Sequence, residues 1–206
     1  MLKSHSLPGR AAAAEKKHVI ATLRSIERAC AWFGKLAAWT VPVLVAGVCL
    51  GILMAFLRIN ELARWGLDLP IFGERLTLNG LTDLQWHLFA VMVMLGGVYT
   101  LHENKHVSVD FIASRFSPRT RDWITVFCDL VMLLPFALVM TWFSWKYMAS
   151  AYASGEGSSY GGLADLWIIK SVMPLGFGLL AVFGLARALR LTLELCRSPA
   201  APGPTE

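Results

Sequence analysis

The stretch that decides the fold runs from Leu36 to Leu57 and reads LAAWTVPVLVAGVCLGILMAFL, with no charged residue in 22 positions. An α-helix rises about 1.5 Å per residue, so about 20 apolar residues cross a hydrocarbon layer about 30 Å thick. Three further stretches are similarly apolar, with at most one charged residue each, at residues 84–101, 123–145 and 166–186. The apolar runs are continuous rather than alternating, which favours helices over a β-barrel. The sequence therefore predicts an all-α integral membrane protein with four transmembrane helices.

Basic residues predict the orientation of these helices. Of the 19 Lys and Arg residues, 14 lie before the first stretch, between the second and the third, or after the fourth. Because Lys and Arg concentrate on the cytoplasmic side of membrane proteins, both termini are expected in the cytoplasm. The net charge of +5 then reflects membrane orientation. The expected environment is the lipid bilayer, and no nucleic-acid partner is inferred.

The two terminal segments of the chain are expected to be cytoplasmic. Residues 1–15 are predicted to be a flexible tail, the membrane domain to cover residues 36–190, and residues 191–206 to be a second tail. Between 16 and 35, apolar residues share one helical face: Val19, Ile20, Leu23, Ile26, Cys30 and Phe33. Basic residues lie on the other faces, which predicts an amphipathic interfacial helix at the inner leaflet. A soluble helix of the tail is the alternative.

A pattern typical of zinc proteases follows the second span, since His102-Glu103-Asn104-Lys105-His106 matches H-E-x-x-H. Such a site needs both histidines on one helix face, a glutamate base and a third protein ligand. Apolar and polar residues alternate over 107–110, which indicates that the helix ends nearby. His87 lies about 22 Å from His102 along the same helix, too far to be the third ligand. We interpret the match as coincidence, with an intramembrane zinc metalloprotease as the alternative. No catalytic residue, metal or cofactor is predicted.

Asp129 is the one acid of the third span. An intramembrane carboxylate is a candidate functional group. The alternative is a structural acid paired with Arg187, with Arg190 or with a neighbouring subunit. A self-sufficient ion-coupled carrier needs a polar site at the midplane and usually broken helices, and one acid does not supply these. The chain is therefore predicted to be an accessory subunit of a larger membrane complex.

Other polar or small residues near the spans have structural interpretations. Gln85, His87 and Lys170 are predicted to be polar groups at the membrane interface. Gly47 and Gly51 have the spacing that lets two membrane helices approach closely.

Three segments resemble the small membrane subunit of tripartite ATP-independent periplasmic (TRAP) transporters, the DctQ-like or Q-type component. They are LQWHLFAVMVMLGGVYTL at 84–101, HVSVD at 106–110, and GEGSSYGGLADLWIIKSVMPLGFGLLAVFGL at 155–185. The resemblance covers residues from about Leu36 to Arg190 and is closest to the mannitol/chloroaromatic branch.

The resemblance implies a small permease subunit, a non-catalytic scaffold for a large TRAP permease subunit in a bacterial inner membrane. The complex would take up an organic acid or related solute that a periplasmic solute-binding protein captures, with sodium coupling in the large subunit. His106 and Asp110 would order a cytoplasmic turn. The candidate contacts to the other subunit or to the binding protein are Glu156, Ser158, Asp129, Gly47 and Gly51. Glu156 and Ser158 could instead fix the turn before the fourth span, and Glu156 could also be a solvated acid in a Gly/Ser-rich connector. A scaffold of an unrelated membrane complex is a further alternative.

Overall fold

The computed structural model of the chain describes residues 7–69, 72–103, 116–158 and 162–196. His106 and Asp110 lie outside these residues, so their predicted role in a turn stays a prediction. In chain order, the elements are α1 (Leu7–Ala37), α2 (Thr40–Phe56), β1 (Glu61–Leu69), β2 (Gly73–Thr77), α3 (Leu78–His102), α4 (Pro118–Cys128), a π-helical turn (Asp129–Leu133), α5 (Leu134–Ser154), α6 (Trp167–Lys170) and α7 (Val172–Leu195).

Four helical stretches are long and apolar enough to cross a membrane, which confirms the predicted membrane architecture. They are Glu15–Phe56, Leu78–His102, Pro118–Ser154 and Trp167–Leu195. Each helix extends beyond its predicted apolar run because polar residues continue or cap it. For example, the side chains of Thr77 and Ser117 accept hydrogen bonds from the backbone N–H groups of Gly80 and Thr120. The side of the bundle where α2 ends and α3 begins is called the hairpin side, and the opposite side, where α3 and α7 end, the terminal side.

Helices extend into both segments that were predicted to be tails. α1 begins at Leu7 rather than Lys16, so residues 7–15 are helical; the run Ala11–Ala14 explains this because alanine has the highest helix propensity. At the other end, α7 continues to Leu195, so residues 191–195 belong to the last helix. Its final turns are held by ion pairs to α1, which the sequence did not indicate.

The predicted apolar face of α1 divides into two. Ile20 and Cys30 are buried, on the face where α1 packs against α3 and α7. Val19, Ile26 and Phe33 of the same predicted face are exposed. An amphipathic helix is therefore present, but only part of its apolar face serves the bundle. Its position relative to a bilayer stays a prediction.

A β-hairpin, which the sequence analysis did not predict, connects the first two spans. β1 and β2 are antiparallel, with Arg64 opposite Arg75 and Leu69 opposite Gly73. Its base is closed by the backbone N–H of Leu78, which donates to the carbonyl of Asn60 at 3.0 Å. The ends of the hairpin are thereby fixed to the ends of two spans.

The fourth span is the centre of the bundle. α7 packs against α1, α3, α4 and α5, while α2 packs on α3. The buried face of α7 is rich in small residues, which let neighbouring helices approach closely: Gly176, Ala181, Gly184, Ala186 and Ala188. On the terminal side, Cys30, Val98 and Phe183 form a buried apolar cluster between α1, α3 and α7.

Candidate functional site: polar contacts between the spans

A buried ion pair joins the third and fourth spans. The guanidinium of Arg187 donates two hydrogen bonds to the carboxylate of Asp129, from Nη2 to Oδ1 at 2.5 Å and from Nε to Oδ2 at 2.7 Å. The side chains of Arg187 and Asp129 are only 11% and 4% exposed. This two-pronged geometry is the strong form of an arginine–carboxylate contact. The structure confirms Arg187, and not Arg190, as the partner of Asp129.

Asp129 lies at an irregularity in the backbone of the third span. Asp129 opens the π-helical turn, in which the N–H of Leu134 donates to the carbonyl of Asp129. Pro135, one residue later, has no N–H to continue the α-helical ladder. A π-turn inside an α-helix is rare and is often found at functional sites.

Arg187 also connects the pair to the second span. Its Nη1 lies 3.4 Å from the carbonyl oxygen of Leu101, and its guanidinium lies 5.4 Å from the ring centre of Phe183. Through Arg187, Asp129 thus belongs to a set of contacts that joins three spans of one chain. A contact between Asp129 and another subunit stays a prediction.

On the hairpin side, Glu156 fixes the start of the fourth span. Its carboxylate accepts a hydrogen bond from the Nζ of Lys170 at 2.5 Å, and its backbone carbonyl accepts one from the N–H of Leu166 at 3.0 Å. The Nζ of Lys170 also lies 4.1 Å from the ring centre of Tyr147. Of the predicted roles of Glu156, namely docking, fixing the turn and a solvated loop acid, these contacts favour fixing the turn. Ser158 serves the same turn, since its N–H donates to the carbonyl of Leu163 at 2.9 Å.

Asp83 holds this loop onto the second span, and the sequence analysis did not single it out. Its Oδ2 accepts a hydrogen bond from the N–H of Leu163 at 3.3 Å. The side chain of Leu163 is buried, with 2% of its surface exposed. The neighbouring Gly162 lies so close that a Cβ atom there would overlap the Asp83 carboxylate. The close approach therefore requires glycine at position 162.

Gly162→Ala is expected to release this loop. The added methyl group would break the contact with Asp83, at a cost of about 1–3 kcal/mol for overpacking. Cleavage after Glu156 by a glutamate-specific protease should become about tenfold faster, since 1.4 kcal/mol corresponds to a factor of ten. Gly157→Ala in the same loop is the control, because a Cβ at Gly157 meets nothing within 4 Å. Equal cleavage rates for the two variants would contradict the assignment.

Gln85 connects the first two spans. Its Nε2 donates to the carbonyl of Gly47 at 3.0 Å. A Cβ atom at Gly51 would lie 3.3 Å from the same Nε2, so the two glycines provide the space for the Gln85 side chain. Gly47 and Gly51 thus serve helix packing within the chain. The predicted contact of these glycines with another subunit or with the binding protein stays a prediction. His87 bonds locally, with Nδ1 at 2.5 Å from the carbonyl oxygen of Asp83.

A network of charges ties α1 to the end of α7. Arg190 Nε donates to Glu27 at 2.7 Å and its Nη1 to Glu194 at 3.2 Å, while Arg24 Nη2 donates to Glu194 at 2.8 Å. Glu27 is buried although it is charged. It lies one helical turn before Cys30, on the apolar face of α1. An acid at such a position could have indicated from the sequence that Glu27 has a buried partner. Arg190, named as a possible partner of Asp129, pairs with Glu27 instead.

Arg190→Gln is expected to loosen α1 from α7. The change leaves Glu27 buried beside a neutral group, which we expect to cost about 1–1.5 kcal/mol, or roughly tenfold in the open population. The labelling rate of the buried Cys30 by a thiol reagent should rise accordingly, measured with the three other cysteines, Cys49, Cys128 and Cys196, replaced by alanine. Arg28→Gln, at an exposed position of α1, should leave the rate unchanged. A Cys30 rate that is unchanged in Arg190→Gln would show that the network does not hold α1 in place.

The H-E-x-x-H segment begins where the second span stops. α3 ends at His102, with Glu103 at its C-cap, whereas the zinc motif needs a helix that continues to His106. The ring of His102 packs edge-on against Phe183, with 6.1 Å between ring centres. Within the residues that the structure describes, no group of three His, Cys, Asp or Glu side chains is placed to hold a metal ion. His106 lies outside them.

Comparison with known proteins identifies the family. The family model described as "Tripartite ATP-independent periplasmic transporters, DctQ component" matches residues 70–194. The chain belongs to this family. The match confirms the resemblance to the small TRAP subunit at the level of the family, and it includes the Asp129–Arg187 pair and the Glu156 turn. The description names the family as one component of tripartite transporters, which implies partner subunits.

The family match does not cover the first two helices of the chain. It begins at residue 70, so α1, α2 and β1 of this DctQ component lie outside it. No curated protein and no solved structure matches the chain in the corresponding comparisons. The charge network at Glu27 and the contact of Gln85 with Gly47 therefore combine residues inside and outside the matched region.

Proposed function

We propose that this DctQ component is the small permease subunit of a TRAP transporter and acts as a non-catalytic scaffold for the large permease subunit. The observation that carries the proposal is the family match over residues 70–194. The polar contacts support it, because Asp129 and Arg187 satisfy each other inside the bundle. A solute or an ion that bound to this carboxylate would have to displace its two hydrogen bonds to Arg187.

The large subunit, in this proposal, performs sodium-coupled uptake of an organic acid or related solute that a periplasmic solute-binding protein delivers. Within the family, we place the chain nearest the mannitol/chloroaromatic branch, on the basis of segments 84–101, 106–110 and 155–185. The excess of Lys and Arg on the terminal side supports an inner-membrane orientation with both termini in the cytoplasm. The hairpin and the Glu156 turn then face the periplasm, where the binding protein approaches.

Co-purification and uptake together test this proposal. The tagged chain, extracted from its own membrane in mild detergent, should retain a much larger polytopic protein. Deletion of the chain should abolish sodium-dependent uptake of radiolabelled mono- and dicarboxylates, and the wild-type chain should restore it. Purification without a polytopic partner, or uptake that survives deletion, would contradict the proposed role. Solute accumulation by the chain reconstituted alone in liposomes would show that it is a carrier by itself.

A further inference from the structure

The hairpin formed by β1 and β2 stands away from the helical bundle. Apart from the contacts between its own strands, it packs mainly on the start of α3. A two-stranded hairpin alone in water is only marginally stable, and packing against another surface stabilises it. Its structure therefore points to a surface that covers it.

Exposed apolar residues continue along the chain from the first span into the hairpin. At the end of α2, Phe56 and Leu57 are exposed, and Ile59, Leu62 and Leu67, which follow in the sequence, are exposed too. Leu67 is 66% exposed. Since α2 is part of a membrane-spanning helix, the surface adjoining its end is that of the bilayer. The continuity favours lipid as the occupant over a soluble partner.

A large bulge in β1 places Leu67 at the surface of the hairpin. Arg64 faces Arg75 and Leu69 faces Gly73, so four residues of β1 lie opposite a single residue of β2. The bulge is held in place by Trp65, whose Nε1 donates to the carbonyl of Gly73 at 2.8 Å. Gly66 supplies a positive φ of 65°. Bulges of this kind redirect side chains, and this one directs a leucine outward.

Two arginines lie directly opposite each other beside the bulge. Arg64 and Arg75 are cross-strand partners, an arrangement that is unfavourable for like charges. Glu61 lies 3.3 Å from the Nε of Arg64, but both side chains are well exposed, and exposed pairs contribute little. A phosphate group offsets the repulsion because guanidinium groups donate paired hydrogen bonds to phosphate oxygens.

We propose that the hairpin lies on the bilayer surface and binds phospholipid. Leu67 enters the boundary between headgroups and acyl chains, the indole of Trp65 lies among the headgroups, and Arg64 and Arg75 share a lipid phosphate. The hairpin contains two arginines and three acids, Glu61, Asp68 and Glu74, so its net charge does not select anionic lipids, and the ligand is the phosphodiester common to zwitterionic and anionic lipids. The closed base at Leu78 keeps the hairpin within reach of the headgroups.

A fluorescent label at position 67 tests the proposal. Leu67→Cys, in the full chain with the four native cysteines replaced by alanine, is labelled with an environment-sensitive nitrobenzoxadiazole dye and reconstituted in phosphatidylcholine vesicles with some phosphatidylglycerol. Gly157→Cys, on an exposed loop of the same side, is the matched control. Quenching by lipid with a doxyl group near the headgroup should be about twofold stronger or more at 67, because an interfacial segment is buried about 5–10 Å. Aqueous iodide should quench the label at 157 more strongly.

The arginines are tested in the same vesicles. Arg75→Gln should reduce the doxyl quenching of the label at 67, while Lys146→Gln, which removes one positive charge from the same side, should not. Equal doxyl and iodide quenching at 67 and 157 would overturn the proposal. So would a label at 67 that responds only when the soluble binding protein is added, since the hairpin would then be a protein-docking surface. Circular dichroism of each variant verifies that the helices are intact, and the result does not depend on uptake activity.

Discussion

Arg187→Met is expected to lower the free energy of unfolding by about 3–5 kcal/mol, the typical cost of removing one partner of a buried ion pair. The substitution keeps much of the side-chain volume but leaves the Asp129 carboxylate without its guanidinium, 4% exposed between the spans. It also removes the contact to the carbonyl of Leu101. SDS-induced unfolding, followed by far-ultraviolet circular dichroism, measures the loss.

Two further variants make the interpretation specific. Arg121→Met removes an arginine at an exposed position of α4 and should change the stability by less than about 0.5 kcal/mol. The double variant Asp129→Leu/Arg187→Met should be more stable than Arg187→Met alone, because replacing both partners of a buried pair by apolar groups is often close to neutral. If Arg187→Met is no less stable than Arg121→Met, or if the double variant is the least stable, the pair does not hold the spans together.

The spans could be predicted from the sequence because the cause is local. An uncharged run such as Leu36–Leu57 needs a helix that satisfies its own backbone in lipid, whatever lies around it. Asp129 could be recognised for the same reason, since one acid in an apolar run needs a partner. The sequence could not show whether Arg187 or Arg190 is the partner of Asp129. The answer depends on the π-turn at Asp129 and on the ion pair between Arg190 and Glu27.

The contacts that were missed depend on residues distant in the chain. The hydrogen bond from Leu163 to Asp83 joins a loop to the second span, and the two segments, considered separately, show only a glycine-rich connector and one polar residue of a helix. The hairpin was missed because its strands are interrupted by a bulge at Trp65 and Gly66, which removes the regular alternation that predicts a strand. In both cases the signal arises only when the two segments lie side by side.

The close packing of the second and fourth spans leads to the other large expected effect. Gly176 on α7 faces Met94 on α3, and a Cβ atom at Gly176 would lie 2.9 Å from the Met94 Cβ and 3.1 Å from its carbonyl oxygen. These atoms belong to or adjoin the backbone and cannot rotate away, so the helices would have to separate. We expect Gly176→Ala to lower the free energy of unfolding by about 1–3 kcal/mol, as overpacking does. SDS titration measures it.

Gly178→Ala provides a control on the same helix with the opposite expected sign. A Cβ at Gly178 meets nothing within 4 Å, so the variant keeps the gain in helix propensity, up to about 1 kcal/mol, without the collision. Both variants receive that gain, and their difference in stability therefore isolates the contact between α3 and α7. If Gly176→Ala is as stable as Gly178→Ala, the two spans do not approach as closely as Met94 indicates. A difference confined to Gly176 would show that glycine is required there to keep the spans together.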